Sequence, residues 1–245
     1  MARIIMGMPV SVDIIGTPTP EIFEKIFGYF TWVDETFSTY KKESEISRIN
    51  SGELKLKDAS EKVQKVFKLC EETKEITNGA FDIYKKDGTC DPSGLVKGWA
   101  IYQASFLLKA EGYENFFIEA GGDIQVSGHN EDKGPWRVGI RDPFKKDSLL
   151  KIVALANGEG IATSGTYERG QHIYDPRTGK AVTDLVALTV IGKNCYEADR
   201  FATAAFVMGN KALSFIQSRS ELEAVVTHVG GKEEMTAGFN KYIVK

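Results

Sequence analysis

The sequence predicts an α+β fold with mixed or antiparallel sheets and packed helices. Helix-like and strand-like segments occur in clusters, whereas a doubly wound sheet requires strict βαβ alternation. A glycine pair at Gly121-Gly122 separates two strand-like segments by only two residues, as in a hairpin. No repeat, low-complexity tract or linker interrupts the 245 residues, so we expect a single domain over residues 1–245.

The N-terminal part is predicted to be one interrupted strand followed by a long helix. Residues 4–15 are rich in Ile and Val, with a break at Met6-Gly7-Met8. Pro20 then supplies a helix start. Apolar residues at three- and four-residue spacing give that helix one buried face; they are Ile22, Phe23, Ile26, Phe27, Phe30, Val33 and Phe37. Residues 38–50 are expected to form a polar loop that carries Tyr40.

Two further helices are predicted before the first strand pair. Asp58 and Glu61 have the spacing of a capping box, which marks the start of the second helix. Thr77-Asn78-Gly79 ends it, because Asn and Gly tolerate the positive φ of a helix C-cap. A third helix fits residues 94–111 and ends at Gly112.

The C-terminal part is predicted to be mainly strand. Alternating or β-branched segments occur at residues 115–120, 123–128, 136–140, 150–156, 185–191 and 222–228. One helix interrupts them over residues 197–208, and Gly209 ends it.

Composition excludes several classes of protein. A formal net charge of −3 gives no basic surface for nucleic acid. The three cysteines, Cys70, Cys90 and Cys195, lack CxxC spacing, so we expect reduced thiols and no thiolate zinc site. No apolar run is long enough for a membrane span. Without a signal peptide or lipobox the chain is expected to be cytoplasmic as written, although a chain trimmed of an export signal would read the same.

Residues 161–179 concentrate groups that a core does not need. The stretch holds small hydroxyl residues, His172 and a turn that closes on Asp175-Pro176-Arg177-Thr178-Gly179. Its donors suit a phosphate-bearing ligand. The alternative is a plain polar connection between two strands.

Three shorter patterns could also bind a ligand. Asp199 and Thr203 are four residues apart, so on a helix they share one face, and their oxygens suit Mg²⁺. Asp199 could equally be a helix cap or a partner of the helix dipole. Lys97 lies in the segment that opens the third helix, where backbone N–H groups and a cation favour phosphate. Gly121-Gly122 would allow close backbone approach to a ligand, or would simply be a turn.

Taken together, these patterns resemble the ApbE-type flavin transferases, the FAD:protein FMN transferases. Eight blocks occur in that family's order and run from the N-terminus to Gly209: Met6-Gly7-Met8, Phe37-Ser38-Thr39-Tyr40 with Ser44 and Asn50, Gly79-Ala80-Phe81-Asp82, Asp91-Pro92-Ser93-Gly94 with Lys97 and Gly98, Gly121-Gly122-Asp123, Thr163-Ser164-Gly165, His172-Ile173-Tyr174-Asp175 with Gly179, and Ala198-Asp199 with Thr203. The resemblance implies an α+β fold with an FAD cleft between two sub-lobes. Met8 and Pro92 depart from the residues usual in the family.

The resemblance also implies roles for individual residues. Asp199 and Thr203 match magnesium ligands that act through their side chains, and Gly94 matches a ligand that acts through its carbonyl. The positions that match FAD contacts are Met6, Tyr40, Ala80, Phe81, Asp82, Asp91, Lys97 and Tyr174.

The family reaction joins the FMN moiety of FAD to a threonine hydroxyl of a partner protein and releases AMP. His172 is the candidate general base by residue type, and a structural imidazole is the alternative. The expected partner is a flavin-carrying subunit of a redox system with a segment ending in Gly-Ala-Thr or a close variant. FAD hydrolysis to FMN and AMP, and flavin binding without catalysis, are the alternative functions.

Overall fold

The computed structural model describes residues 1–156, 158–167, 170 and 173–244. Its strands are β1 (Ala2–Ile5), β2 (Met8–Ile14), β3 (Phe116–Ala120), β4 (Asp123–Ser127), β5 (Trp136–Arg141), β6 (Leu149–Leu155), β7 (Gly160–Gly165), β8 (Leu185–Gly192), β9 (Glu223–His228) and β10 (Glu233–Met235). Its α-helices are α1 (Pro20–Phe37), α2 (Glu45–Asn50), α3 (Glu61–Ile76), α4 (Ser93–Ala110), α5 (Cys195–Val207) and α6 (Ala212–Gln217). The predicted α+β class with antiparallel sheets is confirmed.

Eight strands form one antiparallel sheet in the order β1-β2-β3-β4-β7-β8-β9-β10. Two of its hairpins close with two-residue turns. Met6 and Gly7 have φ of 56° and 70°, and Gly121 and Gly122 have φ of 56° and 90°, as type I′ turns require. Both turns lie at the same end of the sheet, because β2 and β3 pair antiparallel with Val10 opposite Ala120.

The register brings other parts of the chain to that same end. β4 begins there at Asp123, and β7 finishes there, since Ile124 pairs with Ile161. β8 also begins there, because Gly165 pairs with Ala187. We call this the turn end of the sheet. It gathers three of the sequence blocks, residues 6–8, 121–123 and 163–165, of which the first and the last are more than 150 positions apart.

Helices and a hairpin cover opposite faces of the sheet. α4 packs on β3 and β4, and α5 packs on β7 and β8. The β5–β6 hairpin covers the other face, where alternate residues of β5 are buried. That apolar layer contains Trp136, Val138, Val153 and Leu155 together with Phe239. Within the described residues no helix combines the length and apolarity of a membrane span.

The capping box at Asp58 and Glu61 is wrong. The N-cap of α3 is Ser60, whose Oγ accepts a hydrogen bond from the Val63 amide at 3.4 Å. Asp58 instead ends a short 3₁₀ turn that starts at Leu56. Asp58 and Ser60 are two residues apart and both are residue types that cap helices, so the sequence pattern does not decide between them.

The structure also differs from the sequence expectation in the extent of other elements. Within the expected polar loop 38–50, residues Glu45–Asn50 form α2, which Ser44 caps and which buries only Ile46. A single buried residue leaves no periodic signal. Residues Gly160–Gly165 are an interior strand rather than a connection between strands. The short elements α6 and β10 were not predicted.

Candidate functional site

The candidate site lies where α4 crosses α5. Two glycines four residues apart on α4 face two polar residues four residues apart on α5. A Cβ at Gly98 would lie 2.5 Å from the Asp199 Cβ, and one at Gly94 would lie 3.2 Å from the Thr203 Cγ2. The absence of side chains at these glycines therefore lets the helices approach closely. The structure brings Gly94, Asp199 and Thr203 together, as their assignment to one site requires.

Asp199 is buried, with 4% of its surface exposed. Its Oδ2 accepts a hydrogen bond from the Gly98 amide at 2.7 Å. Asn194 is the N-cap of α5, and its side chain accepts from the Glu197 amide at 2.8 Å. Asp199 thus lies in the second turn, and the alternative that it caps the helix is wrong. Burial, and next the nearby Asp123 carboxylate, raise the pKa of Asp199.

Asp123 is a buried carboxylate for which the sequence predicts no role beyond its place after a turn. Its Oδ2 lies 2.9 Å from the Lys97 Nζ, and its Oδ1 accepts from the Thr163 amide at 3.1 Å. Burial works against the charge of Lys97, but Asp123 and Asp199 together raise the pKa of the ammonium. The signal in the sequence is an aspartate directly after a Gly-Gly turn, at the first position of a strand with an apolar pattern.

Hydroxyl and carbonyl oxygens lie beside this carboxylate cluster. The Thr203 Oγ1 donates to the Gly94 carbonyl at 3.3 Å and lies 3.4 Å from the Ser164 Oγ. Carboxylate, hydroxyl and carbonyl oxygens are hard ligands of the kind that Mg²⁺ accepts together with water. Among the described residues no three His, Cys, Asp or Glu side chains form a metal cluster. Because the donors at the α4–α5 crossing are oxygens, their chemistry fits Mg²⁺ rather than a soft metal.

The Ala80-Phe81-Asp82 block packs against the same crossing. Phe81 is buried, its amide donates to the Thr77 Oγ1 at 3.1 Å, and a Cβ at Gly94 would lie 3.3 Å from the Phe81 ring. Ala80 is also buried. The Asp82 carboxylate pairs with Lys74 at 2.9 Å at the outer edge of the block.

Asp91 and Tyr40 line one surface cavity of ≈ 500 Å³. Asp91 accepts from the Ser93 amide at 3.1 Å, at the start of α4, and pairs with Lys85 at 3.2 Å. Tyr40 is 96% exposed. Asn50 holds the wall of the cavity, since its side chain exchanges hydrogen bonds with the Cys90 backbone at 2.8 and 2.9 Å.

The remaining predicted FAD contacts, Met6 and Tyr174, lie at the periphery of the candidate site. Met6 forms the β1–β2 turn at the turn end of the sheet, and Tyr174 is half exposed next to the 175–179 turn. In that turn Arg177 forms two hydrogen bonds of 2.8 Å with the Asp175 carboxylate. A Cβ at Gly79 would lie 3.5 Å from the Arg177 side chain, so the turn contacts the Ala80 block. His172, the candidate base, lies outside the described residues.

An antiparallel α+β protein with a buried carboxylate–lysine pair and hard oxygen donors at a helix crossing is a candidate for metal-assisted phosphoryl chemistry. Comparison with known families identifies one family within this class. The sequence pattern of the ApbE family matches residues 6–88 and 84–226. The chain belongs to the ApbE family.

Curated relatives carry the name FAD:protein FMN transferase. The protein from Vibrio cholerae serotype O1 is 31% identical over 167 residues, which cover 63% of this chain and 50% of the relative. The protein from Escherichia coli K12 is 31% identical over 166 residues, which cover 63% and 47%. The chain thus spans about half the length of the curated relatives that it matches.

Solved structures agree over nearly the whole chain. The flavin transferase ApbE from Vibrio cholerae has a TM-score of 0.85 at 24% identity and covers 99% of this chain and 98% of its own. The ApbE protein from Thermotoga maritima has a TM-score of 0.86 at 22% identity, covering 100% and 99%. These likenesses show that the fold is that of ApbE proteins.

Proposed function

We propose that this protein is an Mg²⁺-dependent FAD:protein FMN transferase. It transfers the FMN moiety of FAD to a threonine hydroxyl of a partner protein and releases AMP. The observation that carries the proposal is the α4–α5 crossing, where Asp199 accepts from the Gly98 amide and Thr203 donates to the Gly94 carbonyl. Lys97, on the same helix as both glycines, pairs with Asp123. Membership of the ApbE family and the name of the curated relatives support it.

The residues of the crossing provide oxygen ligands for a metal ion and a positive charge for phosphate. Asp199 contributes a carboxylate and Thr203 a hydroxyl, and both face the Gly94–Gly98 side of α4. These three positions would hold Mg²⁺, which neutralises the pyrophosphate and the charge on the leaving phosphate when bound. Lys97 keeps a full positive charge at neutral pH, because its pKa is raised. Its ammonium is therefore suited to phosphate oxygens.

The reaction breaks the phosphoanhydride bond between the two phosphates of FAD and forms one phosphoester bond. The threonine Oγ of the acceptor attacks the phosphorus on the FMN side of the pyrophosphate, and the bond from that phosphorus to the oxygen bridging to AMP breaks. AMP leaves with the bridging oxygen. The hydroxyl proton passes to a base, for which His172 is our candidate. The protein mainly positions the two reactants and stabilises charge.

The predicted flavin contacts near the α4–α5 crossing include both buried and solvent-exposed residues. Ala80 and Phe81 are buried, and Phe81 lies next to Gly94, whereas Tyr40 and Asp91 line the open cavity. An acceptor threonine must approach from solvent. We therefore expect the acceptor to be a separate protein, a flavin-carrying subunit of a redox system with a segment ending in Gly-Ala-Thr or a close variant.

The test is to incubate the protein with FAD, Mg²⁺ and an acceptor that bears this segment. Flavin fluorescence on the denatured acceptor and AMP release should match one to one. An acceptor with threonine replaced by alanine should remain unlabelled. Asp199→Asn should abolish labelling, whereas Asp58→Asn, which changes an exposed aspartate, should label as the wild type does.

One result would overturn the proposal in favour of FAD hydrolysis. AMP release at the same rate with and without acceptor, and no flavin on the acceptor, would show that water is the nucleophile. Tight FAD binding without any AMP would instead indicate a flavin-binding protein.

A further inference from the structure

Asp123 connects three separate sequence blocks through one buried carboxylate. It is 1% exposed and is the first residue of β4, directly after the Gly121-Gly122 turn. One carboxylate oxygen accepts from the Thr163 amide of β7 at 3.1 Å, and the other lies 2.9 Å from the Lys97 Nζ of α4. One oxygen thus has a hydrogen-bond donor from β7, and the other has an ion-pair partner from α4.

Lys97 lies near two carboxylates, Asp123 and Asp199, which also interact with each other. It contacts Asp123 directly, and it also interacts electrostatically with Asp199. Its neighbour Gly98 donates its amide to Asp199. The side chain of Lys97 is only 23% exposed, so its ammonium has lost much of its hydration and needs an anionic partner.

The carboxylate with which Lys97 pairs determines whether an Asp199 oxygen remains available to a cation. An ammonium paired with Asp199 would occupy a carboxylate oxygen and would place a positive charge where a cation has to bind. An ammonium paired with Asp123 leaves that oxygen available. We propose that Asp123 is a positioning residue that holds Lys97 away from Asp199 and so keeps Asp199 available to Mg²⁺.

This inference rests on the proposed function for the identity of the metal ligands. The inference depends on two properties that mutation can change separately: the negative charge of residue 123 and the lysine at position 97. An asparagine at 123 would keep the shape and could still accept from the Thr163 amide. It would lack only the negative charge that retains Lys97.

The experiment compares wild type, Asp123→Asn, Lys97→Met and the double variant, all purified free of metal and FAD. In the crystal structure of Asp123→Asn we expect the Lys97 Nζ to have moved within hydrogen-bonding distance of Asp199. By calorimetry its Mg²⁺ affinity should fall by about tenfold or more, the scale seen for lost partners of metal ligands. The double variant, which has no ammonium to misplace, should recover the Mg²⁺ affinity of Lys97→Met.

Each result decides the question without a transfer assay. A Lys97 that stays beside residue 123 in the Asp123→Asn crystal structure overturns the proposal, as does a double variant whose Mg²⁺ affinity is as low as that of Asp123→Asn. A merely structural role for Asp123 predicts that low value, since removing Lys97 would not repair it. If Asp123→Asn does not fold, the double variant must fold and bind Mg²⁺, because it carries no unpaired ammonium. Failure of flavin transfer by the wild type would leave these readouts unchanged.

Discussion

Gly98 and Asp199 lie in direct contact across the α4–α5 crossing. The Gly98 amide donates to the Asp199 Oδ2 at 2.7 Å, and a Cβ on Gly98 would lie 2.5 Å from the Asp199 Cβ and 2.7 Å from the Cys195 carbonyl. Neither the Asp199 Cβ nor the Cys195 carbonyl oxygen can rotate away from such a Cβ. The glycine therefore serves packing and a hydrogen bond at once, and it fixes the candidate ligand in place.

Gly98→Ala should destabilise the protein although alanine is the better helix former. Relieving the overlap requires α4 and α5 to move apart, and such overpacking costs about 1–3 kcal/mol. The matched control is Gly28→Ala in the middle of α1, where a Cβ would meet nothing within 4 Å. That change should stabilise by roughly 0.5–1 kcal/mol. Urea unfolding of both variants checks the prediction, which is wrong if both shift the free energy of unfolding in the same direction.

The sequence predicts elements that carry their own periodic signal. α1 shows eight buried positions on one face, and Gly121-Gly122 specifies a two-residue turn, so both were placed correctly. β7 was missed because Gly160–Gly165 is mostly small residues, which give no apolar alternation. A strand of this kind is specified by its neighbours β4 and β8 rather than by its own composition.

Individual site residues were recognisable, but their connections were not. The i, i+4 spacing of Asp199 and Thr203 shows that they share a helix face, yet nothing in that spacing shows that Gly98 lies opposite Asp199. Likewise the pairing of Asp123 with Lys97 joins positions 26 residues apart on different elements. Such contacts depend on helix packing and strand register, which local patterns do not encode.

Thr203→Val should weaken Mg²⁺ binding while leaving the fold intact. Valine keeps the branched shape but removes the Oγ1, whose hydrogen bond to the Gly94 carbonyl is long at 3.3 Å. Losing that bond costs about 0.5–1.5 kcal/mol of stability. Thr203→Ser retains the hydroxyl and should retain Mg²⁺ affinity within a few-fold. Calorimetric titration with Mg²⁺ separates the two variants, and equal affinity would exclude the hydroxyl as a ligand.

Tyr40→Ala should reduce FAD affinity without changing stability. The ring is 96% exposed and lines the same cavity as Asp91, so its removal should leave the free energy of unfolding within about 0.5 kcal/mol. An aromatic ring that stacks on a base contributes about 1–3 kcal/mol to binding. The control is Phe144→Ala, which removes another exposed ring, 52% accessible, from the β5–β6 connection. Quenching of flavin fluorescence measures both affinities; an unchanged value for Tyr40→Ala would contradict the assignment.

The three free cysteines should be unreactive in the folded protein across the neutral and mildly alkaline range. All are buried, and burial raises the pKa of Cys70 to about 12 and also raises the pKa of Cys195 and Cys90. The reactive thiolate is therefore scarce in the folded state at pH 8, whereas an unfolded thiol with a pKa of about 8.5 is partly ionised. Because these folded pKa values are raised, the thiols favour folding fully below about pH 8.5 and lose that contribution as the pH rises towards the folded values.

Reaction with a chromogenic disulfide at pH 8 should be slow for the native protein and should reach three thiols per chain in guanidinium. Urea unfolding should show lower stability at pH 9.5 than at pH 7.5, and a variant with all three cysteines replaced by alanine should lose less stability over that interval. Rapid labelling of even one thiol in the native protein would show that a cysteine is accessible or ionised, contrary to the burial of all three.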